Sequence, residues 1–312
     1  MTALCEVLKG ETAGDPISGV KWTRKTVRQL TRALRSHDFK VGRETVRRLL
    51  FQLGYRLRAN HKRLNRQQNA DRDQQMRYIK RIRRKYEKQG IPMISVDSKK
   101  RELVGNFKNA GRTWRLAPLD VLESDYPHDA VGVAIPYGIY DILNNRGFVV
   151  VGCSHQTPTF AARTIRRWWI KEGAKRFADH RELLIQADGG NPNGYTSWCW
   201  KFELQRLADE FGLTITVTHL PTGASKWNPV EHKLFCFISM NWAGQPLLSY
   251  ETVLKYIRTT RTETGLRCRS VLDTTDYPTG ESLTAAQKAH IRLFPHRVLP
   301  KWNYTIKPHA AA

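Results

Sequence analysis

Leu183-Leu184-Ile185-Gln186-Ala187-Asp188-Gly189-Gly190-Asn191 is the stretch on which the reading of this chain turns. Its apolar run is short, stops at an acid and passes into a double glycine. That pattern reads as a buried strand ending in a turn. Downstream, Ser225-Lys226-Trp227-Asn228-Pro229-Val230-Glu231-His232-Lys233-Leu234-Phe235 reads as a loop feeding a helix, with Glu231 in its first turns. Asp188 and Glu231 lie 43 residues apart. Upstream, Pro92-Met93-Ile94-Ser95-Val96-Asp97-Ser98-Lys99-Lys100 is another apolar run that ends at an acid. Carboxylates at strand ends and on a nearby helix are how a phosphoryl-transfer site gathers oxygen ligands around Mg²⁺. Asp97, Asp188 and Glu231 are therefore the candidate catalytic and metal-binding acids. On pattern alone each has an ordinary alternative. An Asp at a strand end also serves as a turn residue, and a Glu in a first turn suits the helix dipole. Asp141 at another strand end, and Glu203 and Glu210 on a helix, are the nearest rivals and read as structural.

The elements around these stretches define a layered domain. Ala134–Ile142 and Phe148–Gly152 read as strands joined by a hairpin turn at Asn144-Asn145-Arg146-Gly147. A helix is expected from about Thr159 to Glu172, another from about Tyr195 to Phe211, and a strand over Leu213–Thr218. The Glu231 helix runs to about Asn241, and Ser249–Thr264 adds one more. The order is strand, hairpin, helix, strand, helix, strand, helix, which implies a mixed sheet with helices packed on it, an α/β fold. Lys99–Pro136 is expected to be long and irregular, and the tail from Arg269 has no strong pattern.

The N-terminal part reads differently. Met1 to about Gly19 looks like a short polar lead-in. Val27, Leu30, Ala33 and Leu34 then fall on one helical face, with Thr23 as the expected N-cap. After a break at His37–Gly42, Val46, Leu49, Leu50 and Leu53 define a second helix. Two short helices joined by a turn resemble a helix-turn-helix. The second would present Arg43, Thr45, Arg47 and Arg48 outward, as DNA contacts or as a solvated basic face. Asp71 to about Lys88 reads as a basic helix with Met76, Ile79, Ile82 and Tyr86 along one side. The expected domains are 1–60, a helix-turn-helix region; 61–90, a basic linker and helix; 91–268, the α/β domain; and 269–312, a tail.

Composition agrees with a nucleic-acid partner. Fifty-two Lys and Arg against 28 Asp and Glu give a formal charge of +24, which favours a polyanion through counterion release. No apolar run approaches the ~20 residues that span a bilayer, and Glu6, Lys9 and Glu11 break any signal-peptide pattern. A cytoplasmic, nucleoid-associated protein is expected. The five cysteines are scattered without metal-ligand spacing, as suits reduced thiols.

The motifs Ser95–Lys100, Gly105-Asn106-Phe107-Lys108-Asn109-Ala110-Gly111, Ala187–Gly190 and Ser225–His232 resemble those of the ISAzo thirteen-like, Rhodopirellula-type DDE transposases. Trp302-Asn303-Tyr304-Thr305-Ile306 near the end is similar as well. The resemblance runs from about Gly14 to Lys307. It implies a ribonuclease H-like fold of the retroviral-integrase superfamily, a mixed sheet flanked by helices. It implies metal-dependent cleavage and strand transfer of an insertion sequence, with Asp97, Asp188 and Glu231 holding two Mg²⁺ ions and Mn²⁺ substituting. It implies DNA partners, the transposon ends and target, and a homo-oligomer on DNA. Family members usually carry a further helix-turn-helix region upstream of a segment like Gly14-Asp15-Pro16. Only the lead-in precedes it here, which favours as the alternative function a non-catalytic DNA-binding remnant of a truncated transposase; a plain ribonuclease H-like nuclease is a third reading.

Residues beside the acids admit two readings each. Lys99, Lys100 and Lys226 would hold scissile phosphates or offset the clustering of carboxylates. Trp227 would stack on a frayed base or pack against the core. His232 would position water or sit hydrogen-bonded at the surface. Of Trp168 and Trp169, at least one is expected in the core.

Overall fold

Polar side chains on one face of an otherwise apolar strand mark the middle of this molecule's sheet. A computed structural model describes residues 2–9, 12–14, 21–23, 25–57, 70–224 and 227–310. The chain divides into two compact units, Met1–Leu64 and Asn65–Ala312.

The first unit contains α1 (Thr2–Lys9), β1 (Thr12–Gly14), β2 (Lys21–Thr23), α2 (Val27–Ser36) and α3 (Arg43–Gln52), with β1 and β2 paired antiparallel. The polar lead-in is thus corrected: Leu4 and Leu8 of α1 are buried with Leu30, Leu34 and Val46. A helix of eight residues offers only two inward turns, too few to register as a period. The N-cap of α2 is Thr26, not Thr23. Its Oγ1 accepts from Gln29 N while Gln29 Oε1 accepts from Thr26 N, a reciprocal capping box.

The second unit contains α4 (Arg72–Lys88), β3 (Met93–Ser98), β4 (Glu102–Val104), β5 (Gly132–Asp141), β6 (Arg146–Gly152), α5 (Pro158–Trp168), α6 (Ala174–Arg176), β7 (Glu182–Ala187), α7 (Trp198–Phe211), β8 (Thr214–His219), α8 (Cys236–Asn241), α9 (Tyr250–Thr259), β9 (Arg267–Asp273), α10 (Ala285–Ala289), β10 (Leu293–Pro295) and β11 (Asn303–Ile306). A π-helical turn joins α5 to α6, and another, Glu231–Phe235, leads into α8. The sheet runs β10-β11-β8-β7-β3-β5-β6-β9, with β4 added on β5. Its centre, β6-β5-β3-β7-β8, has an antiparallel hairpin on one side of β3 and parallel strands on the other. That is the ribonuclease H-like mixed sheet flanked by helices.

Helices cover both faces. Phe160, Ile165 and Trp168 of α5 and Trp200, Leu204 and Leu207 of α7 pack on Ile94, Val96, Ile185 and Tyr137. Burying each large apolar side chain contributes about 1.5–3 kcal/mol. Both Trp168 and Trp169 belong to this core. On the other face Leu234, Phe235, Ile238, Val253 and Ile257 pack on Tyr140, Val149 and Val151.

Two expectations about flanking segments change. The tail from Arg269 is not patternless: β9 pairs parallel with β6, and β11 pairs antiparallel with β8. The helix α4 is more than a solvated connector. Ile79 packs with Leu220 and Ala224, and Tyr86 with Ile91, Met93 and Leu184. Residues 61–69 of the expected linker lie outside the described residues.

Candidate active site

Strand alternation sends Met93, Ser95 and Asp97 to one face of β3, because Ile94 and Val96 fill the opposite core. The parallel register pairs Val96 with Ala187. One step further it sets Asp97 level with Asp188, one strand spacing of about 4.8 Å away. Glu231 opens the π-helical turn above them. Glycines seat that turn on the sheet. A Cβ at Gly138, the register partner of Asp97, would lie 2.4 Å from Phe235 Cε1, and one at Gly147 would lie 2.4 Å from Leu234 Cδ1.

The three acids feel one another. Burial, then the Asp188 charge, pushes the Asp97 carboxyl up to about 8, with Glu231 adding to the rise. Burial raises Asp188, with the Gly190 N–H and the Asn193 amide nearby opposing the shift. Burial raises Glu231, with His232 and Lys99 opposing and Asp188 reinforcing the shift. Neighbouring carboxylates disfavour ionisation unless a cation joins them.

The surroundings hold the acids in place. Asn228 Nδ2 donates to Asp97 Oδ2 at 2.9 Å, and Ser98 N donates to Asp97 Oδ1 at 2.7 Å. Ser95 Oγ donates to Asn228 Oδ1 at 2.6 Å and accepts from Val230 N at 3.1 Å. The fully buried His219 places Nδ1 2.9 Å from the Asp188 carbonyl oxygen, so Nδ1 carries the proton and Nε2 accepts from Tyr304 Oη at 3.1 Å. Burial holds this imidazole neutral, its pKa pulled down to about 4. Gln75 of α4 donates to the His219 carbonyl and exchanges hydrogen bonds with Asn303. Tyr137 donates to Asn193 Oδ1 at 2.7 Å. The Asn193 amide therefore turns toward Asp188, without closing a hydrogen bond of good geometry.

This donor set fits a divalent cation. Asp188 Oδ1 is buried with no protein partner, and three neighbouring carboxylates are oxygen ligands of the kind Mg²⁺ takes. The side chains whose ligand atoms converge within 4.8 Å, among the described residues, are instead Asp209, His290 and His309. Asp209 there already accepts from His309 N and Gln205 Nε2. A wider spread suits acids that surround two ions about 3.5–4 Å apart.

The remaining candidates fall in different places. Lys99 Nζ pairs with Glu102 at 2.6 Å and lies 4.5 Å from the Trp242 ring centroid, while Lys100 is exposed. Trp227 is 43% exposed and carries the Arg72 guanidinium over its ring, so it is not core. His232 is exposed. Lys226 lies outside the described residues. On α3, Arg43, Arg47 and Arg48 are exposed and Thr45 is half-buried; Arg47 pairs with Glu44 at 3.6 Å. The rivals are structural: Asp141 accepts from Leu143 N and Asn144 N, and Glu203 and Glu210 pair with Arg206 and Arg166. The residues that sequence reasoning missed are Ser95, Asn228, His219, Asn193 and Tyr137. A signal existed for Ser95, a polar residue two positions before Asp97 in an apolar run.

The family described as Rhodopirellula transposase DDE domain matches residues 3–308. No match to a curated protein was found. Among solved structures, the chain is similar to the "Mos1 transposase paired-end complex with left transposon end", with TM-score 0.45 and 13% identity over 82% of this chain and 69% of that one. It is also similar to the "Crystal structure of the Mos1 Strand Transfer Complex", with TM-score 0.45 and 13% identity over 82% and 68%. A third is the "Crystal structure of the Mos1 mariner paired end complex with Mn", with TM-score 0.44 and 14% identity over 82% and 69%. No helix among the described residues is long and apolar enough to cross a membrane.

Proposed function

The chain belongs to the Rhodopirellula-type DDE transposases, and from that premise we propose that Asp97, Asp188 and Glu231 are the acids of its phosphodiester chemistry. They would hold two divalent cations, Mg²⁺ or Mn²⁺. A bound pair supplies Lewis acidity at the attacking and leaving oxygens of an in-line displacement. The substrates are the transposon ends and a target duplex, with hydrolysis first and attack by a DNA 3′-hydroxyl after it. More than one copy acts on paired ends.

The observation that carries this reading is the placement of the three carboxylates together: Asp97 lies level with Asp188 on the neighbouring strand, and Glu231 is near enough for its charge to raise Asp97 and for that of Asp188 to raise it. In this site Asn228 and Ser98 orient Asp97, and His219 fixes the backbone at Asp188. Lys99 supplies positive charge near Glu231 while held by Glu102. Lys100 and Lys226 contact DNA phosphates beside the acids, and Arg43, Thr45, Arg47 and Arg48 contact DNA from α3. The helices α2 and α3 act as a helix-turn-helix.

The test is a plasmid-nicking assay in Mn²⁺ with Asp97→Asn, Asp188→Asn and Glu231→Gln, followed by strand transfer with pre-cut ends. Each substitution is expected to abolish both reactions and leave DNA binding intact. Nicking that survives Asp188→Asn would sink the assignment. Nicking without strand transfer would make the protein a nuclease, and binding without nicking a remnant.

A further inference from the structure

Six arginines surround one cavity of about 350 Å³ at the edge of the sheet: Arg146, Arg176, Arg258, Arg261, Arg267 and Arg269. One buried acid, Glu172, lies among them, held by Arg176 at 2.8 Å and Arg269 at 3.2 Å. Arg258 donates to the Ser270 carbonyl. Arg146, Arg261 and Arg267 have no acidic partner among the described residues. The candidate site lies elsewhere. Asp97 is level with Gly138, whereas Arg146 pairs with Asp141, which is level with Ile94. The cavity is therefore displaced along the strands and three strands across, on the order of 15–20 Å from Asp97.

The simplest alternative is an edge strand protected by charge, since β9 ends the sheet. Protection needs charge of either sign on one strand. Here the arginines come from β6, α6, α9, β9 and the turns beside them, and they converge around Glu172 with a large excess of positive charge. Such convergence is unfavourable unless an anion enters. The guanidinium fork matches phosphate oxygens in a bidentate way.

We propose that this cavity is a second DNA-backbone site, gripping phosphates of the bound duplex away from the reacting one. The inference rests on the transposase reading for its choice of polyanion.

The test measures duplex binding without metal across a salt series, using the full chain and the double variant R261E/R267E. The variant is expected to lose on the order of 10-fold or more in affinity. Its slope of log K against log salt should be shallower by about 2, roughly 0.9 for each phosphate no longer neutralised. R261K/R267K should keep the slope, and metal-dependent nicking of a very short duplex should be unchanged in both. An unchanged slope in R261E/R267E overturns the proposal. Should that variant fail to fold by thermal melting, R261Q/R267Q decides in the same way. Because binding is read without metal, loss of the nicking assignment at Asp97 would leave this result standing.

Discussion

Asn228 Nδ2 lies 2.9 Å from Asp97 Oδ2 while Asn228 Oδ1 accepts from Ser95 Oγ, so one amide ties the loop before Glu231 to the strand bearing Asp97. The amide donor favours the charged form of Asp97. Asn228→Ala is expected to lower Mn²⁺ affinity and nicking by about 10–100-fold, the usual effect of losing a group that orients a metal ligand. Asn228→Asp should fall further, because it adds a carboxylate to a site already short of countercharge. Calorimetric Mn²⁺ titration checks both. Affinity within twofold of the parent for Asn228→Ala would show that the tie does not matter.

Gly138 is predicted to be intolerant although its backbone is ordinary. A methyl there meets Phe235 at 2.4 Å, and the turn that carries Glu231 must then lift from the sheet. Gly138→Ala should cost about 1–3 kcal/mol in denaturant unfolding and reduce nicking more than Asn228→Ala does. Full activity in a protein of unchanged stability would contradict the packing argument.

The pH dependence has a definite sign. In the metal-free fold the Asp97 carboxyl sits at about 8, against 3.8 for the free group. Between these values the folded chain holds a proton that the unfolded chain has released, so raising the pH from about 4 to about 8 removes stability. The melting temperature of the metal-free protein should fall across that window relative to Asp97→Asn. Mg²⁺ at the upper end should restore the parent and not the variant. A flat difference between the two proteins would contradict the burial and repulsion assigned to Asp97.

Gln75 and Asn303 exchange hydrogen bonds while fully buried. Gln75→Leu or Asn303→Leu alone strands the partner's amide and should cost about 1–3 kcal/mol. The double variant should cost less than the sum, with a coupling on the order of 1 kcal/mol. Strict additivity in urea unfolding would mean that the pair is not a unit.

Much of the catalytic unit was legible because its elements carry strong local signals. The strands β3 and β7 are short apolar runs bounded by acids and turns, and α7 has Ser197 as its cap and Gly212 as its stop. Asp97 and Asp188 stood out because each ends such a run, and Glu231 because it follows a loop at the start of a helix. The strand β9 did not, since Arg267 and Arg269 alternate with Cys268 and Ser270 and its pairing is set by β6, over a hundred residues away. The short β11 is defined by β8 in the same way. The supporting network was hidden for the same physical reason. Asn228, His219 and Tyr304 are polar residues whose meaning lies in partners distant in sequence, and no local period reports a long-range hydrogen bond.

The turn that opens at Glu231 returns the Cys236 amide to the Glu231 carbonyl, one residue later than an α-helix would. That additional residue sets the phase between the carboxylate and the buried Leu234 and Phe235. Each helical residue turns the chain by about 100°. In genetic terms, loss of a single codon between 232 and 235 would preserve the reading frame, the sheet and most of the core. It would also swing Glu231 away from Asp97 and Asp188, leaving a well-folded protein with no third acid.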